Sequence, residues 1–208
     1  MRLAEQSVKR LTIFDYGAGN LHSLAKALDG PARSVRLERD PRAALDTDVL
    51  VLPGVGAFAP AAERLAPARD EMRARIAAGL PTLGICLGMQ LLFDESEEGE
   101  GRGLGVFAGR VERLRAARTP QIGWNGIEYA RDGAGDGAPP PGGLTIAYYA
   151  NRYVCRPDRA DDVVAWSTHE SDRFAAVVRR GDCLGVQFHP EKSSAPGIRF
   201  LDTYLDSL

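Results

Sequence analysis

A cysteine lies between two glycines in the run GICLGMQLLF, residues 84–93. The apolar residues before it suit the end of a buried strand, and Leu87, Gln90 and Leu91 recur at helical spacing after it. Cys86 is therefore predicted to lie on a sharp strand-to-helix turn, a nucleophile elbow with sulfur in place of oxygen. We expect the glycines to let the backbone pass through this strained turn, and the positive end of the helix to favour a thiolate. The same pattern is also typical of a buried structural cysteine, so a second motif has to decide.

The second motif is GVQFHPEKS, residues 185–193. The apolar residues that begin it predict a strand, which Pro190 ends just beyond His189. Residues two apart on an extended chain point the same way, so His189 and Glu191 can present an imidazole and the carboxylate that fixes its tautomer. With Cys86 they form a predicted catalytic triad for acyl transfer. A histidine alone would fit a solvated turn at the end of a strand.

Apolar strands and helices alternate along the first half of the chain, which predicts an α/β fold with a mostly parallel central sheet flanked by helices. Later strands joined by a hairpin turn at 179–182 predict a small antiparallel extension of that sheet. Active sites of such sheets gather at the carboxyl ends of strands, where Asn20, Gly56 and Cys86 all fall. The predicted strands are residues 11–14, 35–37, 49–52, 163–166, 175–178 and 184–188, and the predicted helices are 20–28, 198–205 and those within 60–79.

Composition limits the class of protein. The 208 residues carry 26 Lys and Arg against 28 Asp and Glu, a net charge of −2. This balance does not indicate a basic surface that binds nucleic acid or an anionic membrane. No apolar run approaches the ~18 residues of a membrane span. The three cysteines form no Cys-x-x-Cys pair, so we expect no disulfide framework and no metal site, and a cytoplasmic location. Residues 1–10 are expected to be an N-terminal extension and 11–208 a single domain, since the Gly- and Pro-rich loop 131–143 is too short to separate two.

Three further segments, together with the two motifs above, carry a resemblance to a known family. They are DYGAGN at 15–20, PGVGAF at 53–58 and GWN at 123–125. The cysteine and histidine motifs resemble those of the triad (class I) glutamine amidotransferases. The combination of the other three resembles the glutaminase subunits of imidazole glycerol phosphate synthase, an enzyme of histidine biosynthesis. The resemblance runs in order over nearly the whole chain.

The resemblance implies a function for the predicted triad. Members of this family hydrolyse L-glutamine to glutamate and ammonia through a cysteine thioester, with no cofactor. Their ammonia passes to a cyclase subunit, a (β/α)₈ barrel with which they form a heterodimer. Beyond the triad, the residues expected to act are Gly56 and Leu87 as oxyanion-hole N–H donors, Gln90, Glu98 and Tyr153 as substrate-binding residues, and Asn20, Trp124 and Lys192 at the partner interface.

Two neighbouring positions depart from the family pattern. Asn151 and Arg152 stand where a histidine and a small hydroxyl residue are usual, which affects glutamine positioning and leaves the triad intact. A nucleotide site at the first glycine-rich turn is not expected, because His22 occupies the last glycine position of the dinucleotide fingerprint. The alternatives are a glutaminase subunit for pyridoxal phosphate, anthranilate or guanine nucleotide synthesis, a cysteine peptidase-like hydrolase, and a non-catalytic regulatory module.

Overall fold

The computed structural model describes residues 8–129 and 141–208. Its strands are β1 (Lys9–Phe14), β2 (Arg33–Glu38), β3 (Val49–Leu52), β4 (Thr82–Ile85), β5 (Glu95–Ser96), β6 (Gly109–Arg113), β7 (Gln121–Gly126), β8 (Glu128–Tyr129), β9 (Ile146–Asn151), β10 (Tyr153–Pro157), β11 (Val163–His169), β12 (Asp172–Arg180) and β13 (Cys183–Val186). Its α-helices are α1 (His22–Leu28), α2 (Phe58–Leu65), α3 (Arg69–Ala77), α4 (Leu87–Gln90) and α5 (Ser194–Asp206).

An eight-stranded sheet forms the centre of the fold, in the order β2-β1-β3-β4-β13-β12-β11-β8. The strands from β2 to β13 in this order pair in parallel. The strands β12, β11 and β8 continue the sheet with antiparallel pairs. The predicted α/β class, with a mostly parallel sheet and an antiparallel extension, is confirmed.

Both faces of the central strands are covered. Every residue of β3 and β4 is buried, as expected for parallel strands packed between two layers. Alternate side chains point to opposite faces, so Val51 joins a core with Leu24 of α1 and Leu201 of α5, whereas Leu50 joins a second core with Phe58 of α2 and Met72 of α3.

Some element boundaries differ from those predicted. The strand β1 begins at Lys9, inside the predicted extension 1–10. The helical region within 60–79 is divided by a 3₁₀ turn at Ala66–Ala68. The predicted loop 131–143 lies outside the described residues, except for a 3₁₀ turn at Pro141–Gly143.

Of the helices within residues 8–129 and 141–208, none has both the length and the apolar character needed to cross a membrane.

The pairing of β4 with β13 determines where the two sequence motifs meet. Ile85 lies opposite Val186 in this parallel pair, and the N–H of Cys86 donates to the Val186 carbonyl at 2.7 Å. The residues that follow the two strands therefore lie at the same edge of the sheet. A separate antiparallel pair, β7 with β9, reaches this edge through a bridge between Tyr148 and His189.

Candidate active site

Cys86 occupies the turn between β4 and α4 with its own backbone in the left-handed region, at a φ of 48°. Few residues other than glycine adopt a positive φ, so the strain of the turn resides in the cysteine itself. The expectation that Gly84 and Gly88 relieve this strain is wrong, because neither has a positive φ. They allow close packing: a Cβ at Gly88 would lie 1.9 Å from the Leu52 carbonyl oxygen, and one at Gly84 would lie 2.7 Å from the Gly88 carbonyl oxygen.

His189 and Glu191 form a hydrogen-bonded pair beside Cys86. The Nδ1 of His189 lies 2.8 Å from Oε1 of Glu191, and the two side chains are only 4% and 8% exposed. This bond engages Nδ1 and leaves Nε2 as the nitrogen that can act on a neighbour. A Cβ at Gly54 would lie 2.8 Å from Cε1 of His189 and 3.0 Å from Cβ of Cys86, so these two residues flank the same point. The fold thus brings the three residues of the predicted triad together.

The environment of His189 favours its protonated form. Burial lowers the pKa of the imidazole, but the charge and hydrogen bond of Cys86, followed by those of Glu191, raise that pKa to about 10. An imidazolium beside a cysteine sulfur stabilises a thiolate. This arrangement can support nucleophilic attack at a carbonyl carbon, followed by proton delivery to a leaving group.

The other two cysteines do not suit such chemistry. Burial raises the pKa of the Cys183 thiol to about 12, and it raises the pKa of the Cys155 thiol well above its ordinary value. Both side chains are buried and unpaired. Cys86 is therefore the cysteine best placed to act as a nucleophile.

A ring of hydrogen bonds holds the backbone of His189. Its N–H donates to the carbonyl of Tyr148 at 2.8 Å, and the N–H of Tyr148 donates to Oγ of Ser193 at 2.9 Å. The Ser193 hydroxyl in turn donates to the His189 carbonyl at 2.6 Å. Ser193 thus fixes the candidate base against β9.

The predicted substrate-binding residues are only partly brought together. Nε2 of Gln90 donates to the backbone carbonyl of Tyr153 at 3.1 Å, and the buried Asn151 donates its Nδ2 to the same carbonyl at 3.2 Å. Glu98 is engaged elsewhere, since its Oε2 accepts the N–H of Phe58 at 2.9 Å and so caps the start of α2.

The two predicted oxyanion donors differ in their surroundings. The N–H of Leu87 is among the first of α4, and such amides have no acceptor within their own helix. Because α4 is a single turn, its dipole adds less than we expected from the sequence. Gly56 is exposed, and a Cβ there would meet Ala18 and the side chain of Leu87. The glycine that lies against Cys86 is Gly54.

Sequence reasoning missed three residues at this site: Gly54, Gln187 and Ser193. Each lies within a segment that the sequence already singled out, since Gly54 belongs to PGVGAF and the other two to GVQFHPEKS. The position of Gly54 and Gln187 at the carboxyl edge, just after β3 and β13, was the available signal for those two.

A match over nearly the whole sequence identifies the family. The sequence profile of the family described as "Glutamine amidotransferase class-I" matches residues 12–204. The chain belongs to the class I glutamine amidotransferases.

Similar curated proteins include two that carry the name imidazole glycerol phosphate synthase subunit HisH. The one from Gloeobacter violaceus is 39% identical over 208 residues, covering 94% of this chain and 88% of that protein. The one from Pyrococcus furiosus is 40% identical over 201 residues, covering 94% and 97%. Both names describe subunits of a synthase, so these relatives work with a partner subunit.

A solved structure similar to this chain is that of PurLQS from Thermotoga maritima. It is 18% identical and covers 96% of this chain and 98% of its own, with a TM-score of 0.72. At that level of identity, the likeness shows the shared amidotransferase fold alone.

The amidotransferase domain carries an exposed apolar face on the sheet of β7 and β9, formed by Ile122, Trp124, Ile146 and Tyr148. The first three are 68%, 56% and 56% exposed, and Trp124 packs edge-on against Tyr148 with 6.2 Å between ring centroids. The pairing of β7 with β9 sets these four side chains on one side of the sheet. Large apolar residues exposed together make this face a candidate interaction surface.

The other two predicted interface residues lie at a small cavity. Asn20 and Lys192 line a space of about 250 Å³ that Gly54 and Glu191 also line. This cavity therefore adjoins Glu191 of the predicted triad. A larger cavity of about 830 Å³ opens at the other end of β4 and β13, beside Gly79 and Cys183.

Within the two described ranges, no group of three or more His, Cys, Asp and Glu side chains could hold a metal ion.

Proposed function

We propose that this amidotransferase is the glutaminase subunit of imidazole glycerol phosphate synthase in histidine biosynthesis. It hydrolyses L-glutamine to glutamate and ammonia, and it passes the ammonia to a cyclase subunit. The observation that carries this proposal is the buried His189–Glu191 pair, which flanks the same point as Cys86. Relatives about 40% identical over most of their length support the choice of this synthase.

The chemistry follows from the three side chains. The Cys86 thiolate attacks the carboxamide carbon of glutamine, and the His189 imidazolium gives its proton to the departing ammonia. The γ-glutamyl thioester that remains is hydrolysed by a water from which His189 takes a proton, and glutamate leaves as the Cys86 sulfur is released. Glu191 holds Nδ1 and stabilises the imidazolium through both steps.

The oxyanion of each tetrahedral intermediate needs hydrogen-bond donors. The N–H groups of Leu87 and Gly56 fill this role in the proposal, and one such donor typically lowers the barrier by ~3 kcal/mol. Gln90, Tyr153 and Glu98 bind the rest of the glutamine molecule. The hydrogen bond of Gln90 to the Tyr153 carbonyl supports a common pocket for these two residues.

The partner is the (β/α)₈ barrel cyclase, bound as a heterodimer. The apolar face around Trp124 supports a docking surface, and Asn20 and Lys192 line the cavity beside Glu191 through which ammonia would leave. The complex works in the cytoplasm, which the three unpaired cysteines support.

Two measurements test the proposal. In the complex with the cyclase, Cys86→Ala should abolish glutamine hydrolysis and leave synthesis from added ammonia intact. Retained hydrolysis would refute Cys86 as nucleophile, and loss of both activities would point to a folding defect. Co-purification with barrel proteins distinguishes the alternatives. If the chain co-purifies with pyridoxal phosphate synthase, or with no synthase, the assignment to the cyclase is wrong.

A further inference from the structure

Gln187 lies beside the nucleophile with a fully buried side chain. The carbonyl of Val186, the last residue of β13, accepts the N–H of Cys86, so the next residue along the chain falls beside the cysteine. Nε2 of Gln187 lies 3.6 Å from Sγ of Cys86, a hydrogen-bonding distance for sulfur. A neutral donor thus contacts the atom that must carry negative charge.

The other end of the same carboxamide has no comparable contact. Among the described residues, Oε1 of Gln187 is buried and finds no hydrogen-bond partner. An unpaired buried carbonyl destabilises the folded state, and an apolar side chain of similar volume would avoid that cost. In the reverse orientation, the amide would place Oε1 against the sulfur. This oxygen can only accept hydrogen bonds, so a thiolate would repel it.

We propose that Gln187 is a positioning residue, whose amide N–H holds the Cys86 sulfur and stabilises the thiolate before it attacks. A hydrogen bond to a charged acceptor is stronger than one between neutral groups. This inference rests on the proposed function, in which Cys86 is the nucleophile.

The donor differs from the other groups around the sulfur because it does not titrate. In the described part of the chain, the titratable groups near Cys86 are His189, with Glu191 behind it, and Cys155 on β10. Each of these side chains carries an ionisable group. The hydrogen bond from Gln187 therefore stabilises the Cys86 thiolate even after His189 has lost its proton.

The test measures the reactivity of the thiol directly. Iodoacetamide alkylates Cys86 when the thiolate displaces iodide, and peptide mass spectrometry gives the rate at each pH for the full chain. Gln187→Met keeps the length of the side chain and removes the N–H. We expect its half-maximal alkylation to move to higher pH by about one unit and its rate at neutral pH to fall about tenfold.

Gln121→Met is the matched control. Gln121 is also a buried glutamine, and its Oε1 also lacks a partner among the described residues, yet no hydrogen bond joins it to Cys86 there. Its alkylation profile should match that of the parent. A parent-like profile for Gln187→Met would overturn the proposal, even if its thermal midpoint falls, because that result assigns Gln187 a packing role alone.

A second variant covers the case in which Gln187→Met does not fold. Gln187→Glu has the same size and sets a carboxylate against the sulfur, so alkylation should require a still higher pH, and an unchanged profile would overturn the proposal. Alkylation needs no glutamine. Failure of the proposed function, seen as hydrolysis retained by Cys86→Ala, is therefore distinguishable from failure of this inference.

Discussion

The backbone N–H of His189 donates to the carbonyl of Tyr148, so the candidate base is hydrogen-bonded to the strand whose outer side carries the apolar face. The same strand approaches the candidate nucleophile, since the carbonyl of Ala150 lies 4.0 Å from Sγ of Cys86. Strand β9 therefore contacts two members of the predicted triad on one side and Trp124 on the other. A partner docked on the apolar face would contact a strand that also positions the candidate catalytic groups.

Replacing Trp124 should weaken binding of the cyclase. A large aromatic residue at the centre of an interface commonly contributes ~2 kcal/mol or more, so Trp124→Ala should raise Kd about 30-fold in titration calorimetry. Stability should change little, because the side chain is more than half exposed. Leu37→Ala is the control: Leu37 is 53% exposed on β2, at the far edge of the sheet, and should leave Kd unchanged. An equal effect of the two substitutions would contradict a docking role for the apolar face.

Removing the charge of Glu191 should slow hydrolysis. Glu191→Gln keeps the shape of the side chain but no longer stabilises the imidazolium or fixes its tautomer, so kcat for ammonia release in the complex should fall about 100-fold or more. The exposed Glu63 offers the same substitution outside the site, and Glu63→Gln should keep the parent rate. A Glu191→Gln enzyme with near-parent kcat would exclude Glu191 from the triad.

The free energy of unfolding should decline as pH rises through the range in which His189 titrates. The pKa of His189 is raised from 6.5 to about 10, so the folded state binds this proton more tightly than the unfolded chain does. The resulting stabilisation is complete below pH 6.5 and is lost as pH rises through about 10. Thermal midpoints across this range measure the decline. The decline should be smaller in Cys86→Ala, which lacks the interaction that most favours the imidazolium. If the thermal midpoints of the two proteins fall in parallel, the interaction of His189 with Cys86 is not the cause of the decline.

Glu98 allows a binding role to be separated from a capping role. Glu98→Gln keeps an oxygen that can accept the N–H of Phe58 and removes the charge that would attract the amino group of glutamine. We expect KM for glutamine to rise about tenfold with little change in thermal midpoint. A lower midpoint with unchanged KM would leave Glu98 as the cap of α2 alone.

The elbow should not tolerate a side chain at Gly88. A Cβ there would lie 1.9 Å from a backbone oxygen, so Gly88→Ala must displace β3 or α4, at a cost of about 3 kcal/mol or loss of folding. Gly126→Ala is the matched substitution, since a Cβ at Gly126 has no heavy atom within 4 Å. Urea denaturation of both variants measures the difference. Similar stabilities would show that the elbow can relax.

The sequence motifs predicted the parts of the site that are contiguous in the chain. Cys86 and the His189–Glu191 pair could be found because each lies in a short run with its own local signal of strand, turn and glycine. The hydrogen bond of Gln187 to sulfur could not be found this way, because it depends on the register between β4 and β13. The reason for Gly88 was also out of reach, since it lies in the approach of Leu52 from another strand.

The place of β13 in the sheet has a consequence for biosynthesis of the protein. Although it is the last of the described strands along the chain, it lies between β4 and β12 and joins the parallel half of the sheet to the antiparallel half. Non-local pairing of this kind folds slowly, and the halves cannot join until residues 183–186 have emerged. A nascent chain therefore cannot hold His189 beside Cys86 before residues 183–189 have emerged.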